Sequence, residues 1–269
     1  MDRIDLKMLQ LLQQRTKLSG QIGRVKRRHG AVIYVPERER DLLARLVRSG
    51  RLPAKVVAAL YREILSHSRA EQQQPPIGFL NASAGVVLPA AHAAFGACDQ
   101  FLPRKTWPEV AKGLRSGALS LALLTGDDLV RALRSAKSRR EFTDHLKVAG
   151  DFSPAFDTKA PLARRIFIVT PRGNGTAGKA NQFLILIECK STANAIKSLL
   201  RSMPDYSIHA EGLPHRAGSG RSGLALARLT LARAVSGNEA TNRLLTASKA
   251  RDLSVSILGV YLRTEDYGG

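Results

Sequence analysis

The chain has 269 residues, of which 44% are hydrophobic and 5% aromatic, and its net charge is +20 with a pI near 10.8. This length suits one to three domains with real hydrophobic cores. Basic residues recur along the whole chain, which favours an anionic partner but does not choose between nucleic acid, acidic lipid and a polyanionic small molecule.

Several classes of protein are disfavoured by what the sequence lacks. The two cysteines, Cys98 and Cys189, belong to no CxxC motif and no Cys/His cluster, so we expect no zinc site. No apolar run approaches the roughly 20 residues of a membrane-spanning helix, and the N-terminus is predicted to be a charged amphipathic helix, not a signal peptide. We therefore expect a reduced, cytoplasmic protein that does not enter the membrane.

Three helices are predicted in the first 74 residues. The first covers residues 3–29 and stops at Gly30, the second runs from Pro36 to about residue 47, and the third spans residues 54–72. One long amphipathic helix with two shorter ones suggests an intertwined homodimer. Apolar residues recur at three- and four-residue steps along the first helix: Ile4, Met8, Leu11, Leu12, Leu18, Ile22 and Val25.

The stretch "QQQPP" at 72–76 marks a domain boundary, after which strands and helices alternate. One helix is predicted to end at Gly96 and another to span 106–117, whereas 131–160 is charged and predicted to be irregular. This pattern indicates a small α/β domain over 75–172. Its strands are predicted at 77–80, 99–102, 119–124 and 164–171.

The last segment, 173–269, has a strand–helix–strand–strand–helix–strand order, typical of a ferredoxin-like α+β module. It begins with "GNGTAGKA" (173–180), which satisfies GxGxxG and nearly satisfies a phosphate-binding loop. That loop leads into a strand and has Ala180 after its Lys, so we interpret it as a linker. The predicted elements are "NQFLILIE", "TANAIKSLLRSM", "YSIHAEGL", "GLALARLTLARA", "NEATNRLLTASKA" and "SVSILGVYL".

Four residues of the helical segment are spaced to hold a small anion. Arg15 and Lys26 are eleven residues apart, close to three helical turns, so both point the same way about 16 Å apart. Their long side chains could converge from there on one ligand. Ser68 and Gln72 stand four residues apart and share a face of the third helix.

Two more candidates, Arg38 and Glu39, open the second helix in "IYVPERERDLLARL". Each alone has an ordinary explanation, because Arg is mostly exposed in proteins and Glu near a helix N-terminus is favoured by the helix dipole. Three cations, one carboxylate, one hydroxyl and one amide at these spacings together favour a pocket.

Residues 4–74 resemble the all-helical chorismate mutases, especially those fused to bacterial prephenate dehydratases. The resemblance rests on "IDLKMLQLLQQR", "IGRVK", "IYVPERE" and "LYREILSHSRAEQQ". It implies a three-helix mutase domain over 1–74, a homodimer, and the dianionic substrate chorismate, which rearranges to prephenate without metal, cofactor, covalent intermediate or proton transfer. Such an enzyme holds a chair-like diaxial conformer and stabilises negative charge developing on the ether oxygen.

The resemblance also implies roles for the pocket residues. Arg15 clamps a substrate carboxylate, for which its planar fork is suited. Lys26 reaches the ether oxygen and a carboxylate, and Gln72 is the second donor to the ether oxygen. Ser68 donates to a carboxylate.

Glu39 is implied to accept from the ring hydroxyl, with Arg38 alongside orienting the site. Two departures from the family accompany these matches. Val35 stands where relatives often have Asp, and the Arg that relatives carry before Ile4 for the partner subunit's site does not align with Arg3. Either the true start lies further upstream, or the enzyme is weakened.

The middle segment, 75–172, resembles a degenerate prephenate dehydratase domain in "PIGFLNASAGVVLPAAHAAFG" and "TWPEVAKGLRSGALSLALLTGDD". The family's Gly-Pro-x-Gly-Thr loop becomes "NASAGVV", its Pro-x-Glu-Asn motif becomes "LTGDD", and its Thr-Arg-Phe motif is displaced into "RRIF" without the Thr. There is room for one periplasmic-binding-like lobe, whereas such dehydratases work between two lobes. We therefore do not expect dehydratase activity.

The segment 173–269 resembles the ACT domain that senses phenylalanine in these enzymes. The Gly-Ala-Leu motif becomes "NAI", and Glu-Ser-Arg-Pro becomes "EGLP", which keeps Glu211 and Pro214 but not the binding Ser and Arg. We expect a scaffold, a dimerisation unit or a sensor for another ligand.

The sequence thus favours a chorismate mutase of aromatic amino acid biosynthesis with degenerate extensions. Two alternatives stay open. One is a catalytically inactive regulatory or nucleic-acid-binding relative, which the net charge favours. The other is a bifunctional mutase and dehydratase.

Overall fold

The computed structural model describes residues 1–154, 160–172, 179–189, 201, 206–212, 223–249 and 254–261. The chain divides into two compact units, one built on Met1–Ala122 and the other on Leu123–Asp266. The helix predicted at 192–203, apart from residue 201, lies outside the described residues, as do most of the 173–180 loop and Pro214. The three-domain division stays a prediction.

The first unit begins with the three predicted helices, α1 (Asp2–Arg28), α2 (Pro36–Ser49) and α3 (Ala54–Glu71). Proline occupies the first turn of α2, where its missing N–H has no intrahelical partner to lose. After α1 the chain turns through Gly30, whose φ of 60° favours glycine. Both α1 and α2 contact α3. The helical prediction is confirmed.

Most apolar side chains of α1 remain exposed, because α3 covers only the face that carries the buried Ser19 and Gly23. The exposed apolar residues of this helix are Ile4, Leu6, Met8, Leu9, Leu11, Leu12, Leu18, Ile22 and Val25. A soluble helix ordinarily buries its apolar stripe.

The rest of the first unit is an α/β segment with β1 (Ile77–Leu80), α4 (Ala84–Phe95), β2 (Phe101–Arg104) and α5 (Trp107–Arg115). The strands β1 and β2 pair in parallel. Strand β2 starts two residues later than predicted. Helix α4 ends at Gly96, which has a φ of 97° and lets the chain turn back towards α3.

The second unit opens with β3 (Leu121–Thr125), within which the division falls, and continues through α6 (Gly126–Leu133), α7 (Ala136–Asp144), β4 (Leu146–Phe152) and β5 (Ile166–Pro171). The irregular structure predicted for 131–160 is therefore wrong over most of its length. Dense charges hide an amphipathic pattern there. The buried residues of that pattern are Leu129, Leu133, Phe142, Leu146 and Val148.

The last part contains β6 (Lys179–Cys189), β7 (Tyr206–Gly212), β8 (Gly223–Ser236), α8 (Gly237–Lys249) and β9 (Ser254–Tyr261). The strand order in this unit is β3-β5-β4-β9-β6-β8-β7. In the order β9-β6-β8-β7 each strand is antiparallel to its neighbour, which is the arrangement of a ferredoxin-like sheet.

A membrane span is not found among the helices of the described residues, since none combines the necessary length with the necessary hydropathy.

A buried charge cluster holds the second unit together. The Nε of Arg165 and the Nη1 of Arg228 both donate to Oδ2 of Asp151, the latter over 3.1 Å. All three side chains are at most 3% exposed. Two buried guanidiniums therefore share this carboxylate as a counter-ion.

We expect Asp151→Asn to lower the free energy of unfolding by about 3–5 kcal/mol, because it removes the carboxylate charge that pairs with two buried guanidiniums. Urea unfolding followed by circular dichroism measures this. The matched control is Glu239→Gln, which breaks an exposed pair with Arg243 in the same unit and is expected to cost about 1 kcal/mol or less. Equal losses in the two variants would contradict the assignment.

Candidate functional site

The close approach of α1 and α3 builds the floor of the candidate site. A Cβ at Gly23 would lie 2.6 Å from Cα of Gln72. This contact is too short for any side chain at position 23 unless the two helices move apart. Glycine at this position therefore lets Gln72, which directly follows α3, rest against α1. The side-chain Nε2 of Gln72 donates to the Ser68 carbonyl over 3.0 Å, and its Oε1 is buried with no hydrogen-bond partner among the described residues.

Arg15 on α1 and Ser68 on α3 are brought into direct contact. Nη1 of Arg15 donates to Oγ of Ser68 and, over 3.2 Å, to the carbonyl of Ile64. The Ser68 hydroxyl in turn donates to that same carbonyl over 2.7 Å. Within the described part of the chain Arg15 uses one nitrogen, so the rest of its fork is available to an anion.

Lys26 lies at the other end of the α1 face. Its Nζ donates to the Ile33 carbonyl over 2.9 Å, in the segment that leads into α2. Two protons of the ammonium remain for a ligand. Arg38, in the first turn of α2, is exposed.

Glu39 is the carboxylate of the site and is held by a residue that the sequence analysis did not select. Nη1 of Arg69 donates to both Glu39 oxygens over 2.7 Å each. Arg69 itself is 3% exposed. Each Glu39 oxygen has a second lone pair, so the carboxylate can still accept from a ligand hydroxyl.

The charges of these residues act on one another. Burial lowers the pKa of Lys26, and the Arg38 charge lowers it further, while the Glu39 charge opposes both. Burial likewise lowers the pKa of Arg15, against the charges of Tyr61 and Glu39. Burial raises the pKa of Glu39, and the charge and hydrogen bond of Arg69 work against that rise. The structure thus brings Arg15, Lys26, Arg38 and Glu39 within electrostatic reach.

Arg69 was missed because no local pattern distinguishes it. It stands directly after Ser68, between two residues selected for their shared face, and it points to the other side of the helix. Its partners are 30 residues away in both directions.

Comparison with known proteins was made for the whole chain. Residues 1–73 match the family model "Chorismate mutase type II". Over these residues the chain is similar to the type II chorismate mutases. The match covers α1, α2 and α3 and contains all six predicted pocket residues.

Two curated relatives are bifunctional chorismate mutase/prephenate dehydratases. The protein from Aquifex aeolicus is 26% identical over 156 residues, which are 56% of this chain and 43% of that protein. The protein from Neisseria gonorrhoeae is 37% identical over 97 residues, which are 35% of this chain and 26% of that protein. The chain thus spans less than half the length of either relative. The first alignment is more than twice as long as the mutase match and extends beyond it.

Among solved structures, a prephenate dehydratase from Streptococcus mutans is similar with a TM-score of 0.49 and 14% identity, covering 70% of this chain and 98% of that chain. A likeness at this level carries no functional weight.

We expect Gly23→Ala to destabilise the helical domain and displace Gln72, because the added methyl group meets backbone and not a flexible side-chain end. Thermal melting and ligand binding measure the two effects. Gly20→Ala is the matched control: it lies one turn earlier on α1, its nearest neighbour is the Arg24 side chain at 3.9 Å, and replacing a helical glycine by alanine stabilises by about 1 kcal/mol. Similar melting temperatures for both variants would contradict the close approach.

Proposed function

We propose that this chain is a chorismate mutase that rearranges chorismate to prephenate in aromatic amino acid biosynthesis. The observation that carries the proposal is that Arg15, Lys26 and Arg38 act electrostatically on one another and on the Glu39 carboxylate, while Ser68 contacts Arg15 and Gln72 packs against α1, inside a segment that matches the mutase family. Chorismate carries two carboxylates, one hydroxyl and one ether oxygen, and the site offers partners of the matching kind.

The substrate carboxylates meet the basic side of the pocket. Arg15 presents the free part of its fork to one carboxylate, and the Ser68 hydroxyl that touches Arg15 lies beside it. Because Ser68 and the Ile64 carbonyl fix one Arg15 nitrogen, the fork is oriented before substrate binds. A pre-oriented donor loses less entropy when it selects the compact diaxial conformer.

The ether oxygen meets Lys26 and Gln72. Negative charge builds up on this oxygen as its bond to the ring breaks, so donors aimed at it stabilise the transition state more than the ground state. One N–H of the Gln72 Nε2 donates to the Ser68 carbonyl, and the second N–H remains to donate to the ether oxygen. The lowered pKa of Lys26 reflects a partly dehydrated ammonium, which binds a developing anion more strongly than a hydrated one.

Glu39 accepts a hydrogen bond from the ring hydroxyl, and Arg38 next to it helps to balance the charge of the site. No proton transfer is required of either residue. The reaction needs only positioning and fixed charge, which is the kind of catalysis that this set of residues can supply.

The same proposal includes a homodimer. The exposed apolar residues of α1 recur at steps of four and three along Ile4, Met8, Leu11, Leu18, Ile22 and Val25, and Arg15 fills the step between Leu11 and Leu18. A stripe of this period is the pattern with which two helices pack on each other. A second copy of α1 would cover it.

For the remainder we propose a scaffold without dehydratase activity, in a cytoplasmic protein. The stretch "LTGDD" that replaces the dehydratase motif starts α6: Oγ1 of Thr125 accepts from the Asp128 N–H over 3.2 Å and donates to the Asp128 carboxylate over 2.8 Å. These side chains are thus engaged in capping a helix. The long Aquifex aeolicus alignment supports descent from a dehydratase, and the antiparallel order of β9, β6, β8 and β7 supports an ACT-type module.

The purified chain is expected to convert chorismate to prephenate, identified by chromatography. Arg15→Ala is expected to lower kcat/KM by at least about a hundredfold, since it removes a charge-assisted contact made by a half-buried, pre-oriented fork. Lys17→Ala, which removes an exposed cation two residues further along α1, is the matched control and is expected to retain activity.

Each other outcome selects a different function. Phenylpyruvate formed faster than prephenate decays would establish the bifunctional alternative. Failure of the wild type to consume chorismate would contradict the proposal and favour the inactive binding relative, which salt-dependent binding to DNA or RNA would then test.

Sedimentation equilibrium at micromolar concentration is expected to give twice the chain mass of 29.2 kDa. Leu11→Glu and Leu18→Glu, at positions 56% and 58% exposed in the single chain, are expected to give monomers because they place charge in the proposed helix contact. Gln13→Glu adds the same charge to the same helix off the stripe and is expected to remain dimeric. A monomeric wild type would refute the dimer.

A further inference from the structure

The loop 95–99, which comprises the last residue of α4 and the turn that leads towards β2, is hydrogen-bonded to α3. The Oγ of Ser66 accepts from the N–H groups of Cys98 and Asp99 over 3.0 and 3.1 Å and donates to the Asp99 carboxylate over 2.7 Å. The Ala97 N–H donates to Glu63 over 3.0 Å. Hydrogen bonds therefore set the path of this loop against one face of the mutase helices.

Arg69 joins this loop to the candidate site. Its Nε and Nη2 donate to the two oxygens of Asp99 over 3.1 and 2.7 Å, and Nη2 also donates to the Phe95 carbonyl over 2.6 Å. The rings of Tyr34 and Phe95 lie 5.6 and 5.9 Å from its central carbon. The Nε and Nη2 atoms of the guanidinium thus bind the loop, whereas Nη1 binds Glu39.

We propose that the loop 95–99, which lies outside the residues matched to the mutase family, completes the mutase site by orienting Arg69 so that its Nη1 holds Glu39 towards the substrate. Arg69 is a positioning residue in this scheme, and Asp99 positions Arg69. The inference rests on the proposed function for its catalytic consequence, but the contact between loop and carboxylate can be tested separately.

The geometry explains why arginine is required. A guanidinium can satisfy two carboxylates and a carbonyl at once because its donors form a rigid planar fork. A lysine at this position could pair with one carboxylate but would leave the other without a cationic partner. The contacts also fix the rotamer of Glu39, and a displacement of about 1 Å at such a residue is enough to lower a rate about a hundredfold.

The charged groups that face Glu39 come from three directions. Arg69 and, behind it, Asp99 lie on one side, Lys26 and Arg15 on α1 lie on another, and Arg38 precedes Glu39 on α2. Arg69 and Lys26 favour the ionised form of Glu39, whereas Asp99 disfavours it. Removal of Arg69 is therefore expected to raise the pKa of Glu39, and removal of the Asp99 charge to lower it.

The test uses the full chain with Arg69→Gln, Arg69→Lys and Asp99→Asn, and Arg62→Gln as the control that removes a cation two turns earlier on the same helix. The acid limb of the pH–kcat profile is expected to move to higher pH in Arg69→Gln and to lower pH in Asp99→Asn. In Arg69→Gln we expect kcat to fall about ten- to a hundredfold and by more than KM rises, with partial recovery in Arg69→Lys. Arg62→Gln is expected to match the wild type.

The carboxyl carbon of Glu39, followed by NMR titration in selectively labelled protein, gives a readout that needs no activity. Opposite shifts of its pKa in Arg69→Gln and Asp99→Asn support the coupling even if the wild type makes no prephenate, in which case only the proposed function fails. Titrations that do not move, or an active wild type whose profile and kcat survive all three changes, would overturn the inference. Asp99→Asn keeps the shape of the side chain and so remains informative if Arg69→Gln does not fold.

Discussion

The guanidinium of Arg69 lies between two carboxylates, and much of the first unit follows from the need to compensate it. Leaving such a charge buried and unpaired would cost several kcal/mol of folding free energy. Glu39 and Asp99 must therefore both lie within hydrogen-bond distance of the guanidinium. The pair with Glu39 constrains where α2 begins, and the pair with Asp99 constrains the path of the loop that leaves α4. Burial lowers the pKa of Arg69, but the charges and hydrogen bonds of the two carboxylates outweigh it and hold that pKa above its usual value.

The second unit uses the same pairing in the opposite proportion, with Asp151 between Arg165 and Arg228. All three side chains of that cluster are buried, so their charges interact with one another and not with a ligand. The cluster therefore has a structural role. The cluster in the first unit differs because Glu39 keeps acceptor capacity on a side where Lys26 and Arg15 stand. A buried ion cluster can become part of a binding site when one of its carboxylates can still accept a hydrogen bond from a ligand and lies near other charged side chains.

The features that could be predicted from the sequence are those that depend only on residue spacing within one helix or strand. The faces shared by Arg15 and Lys26, or by Ser68 and Gln72, follow from helix geometry alone. Arg69 and Asp99 could not be paired in advance, because 30 residues, a strand and a helix separate them and an isolated arginine is far more often a surface residue. The helices and strand between 126 and 152 were missed for a related reason: charges surround their apolar residues, and the period shows only once the buried face is known.

Family resemblance and physical connection therefore end at different residues. The mutase match stops at residue 73, whereas the hydrogen bonds that orient its carboxylate continue to Asp99. A segment whose dehydratase motifs are altered can still be required if it supplies the counter-ion for a buried arginine of its neighbour. Truncation at the family boundary would leave the Arg69 fork with one carboxylate in place of two and expose the side of α3 that now carries Ser66. On this argument the segment up to Asp99 is part of the proposed mutase site, because it supplies a partner of the arginine that holds Glu39.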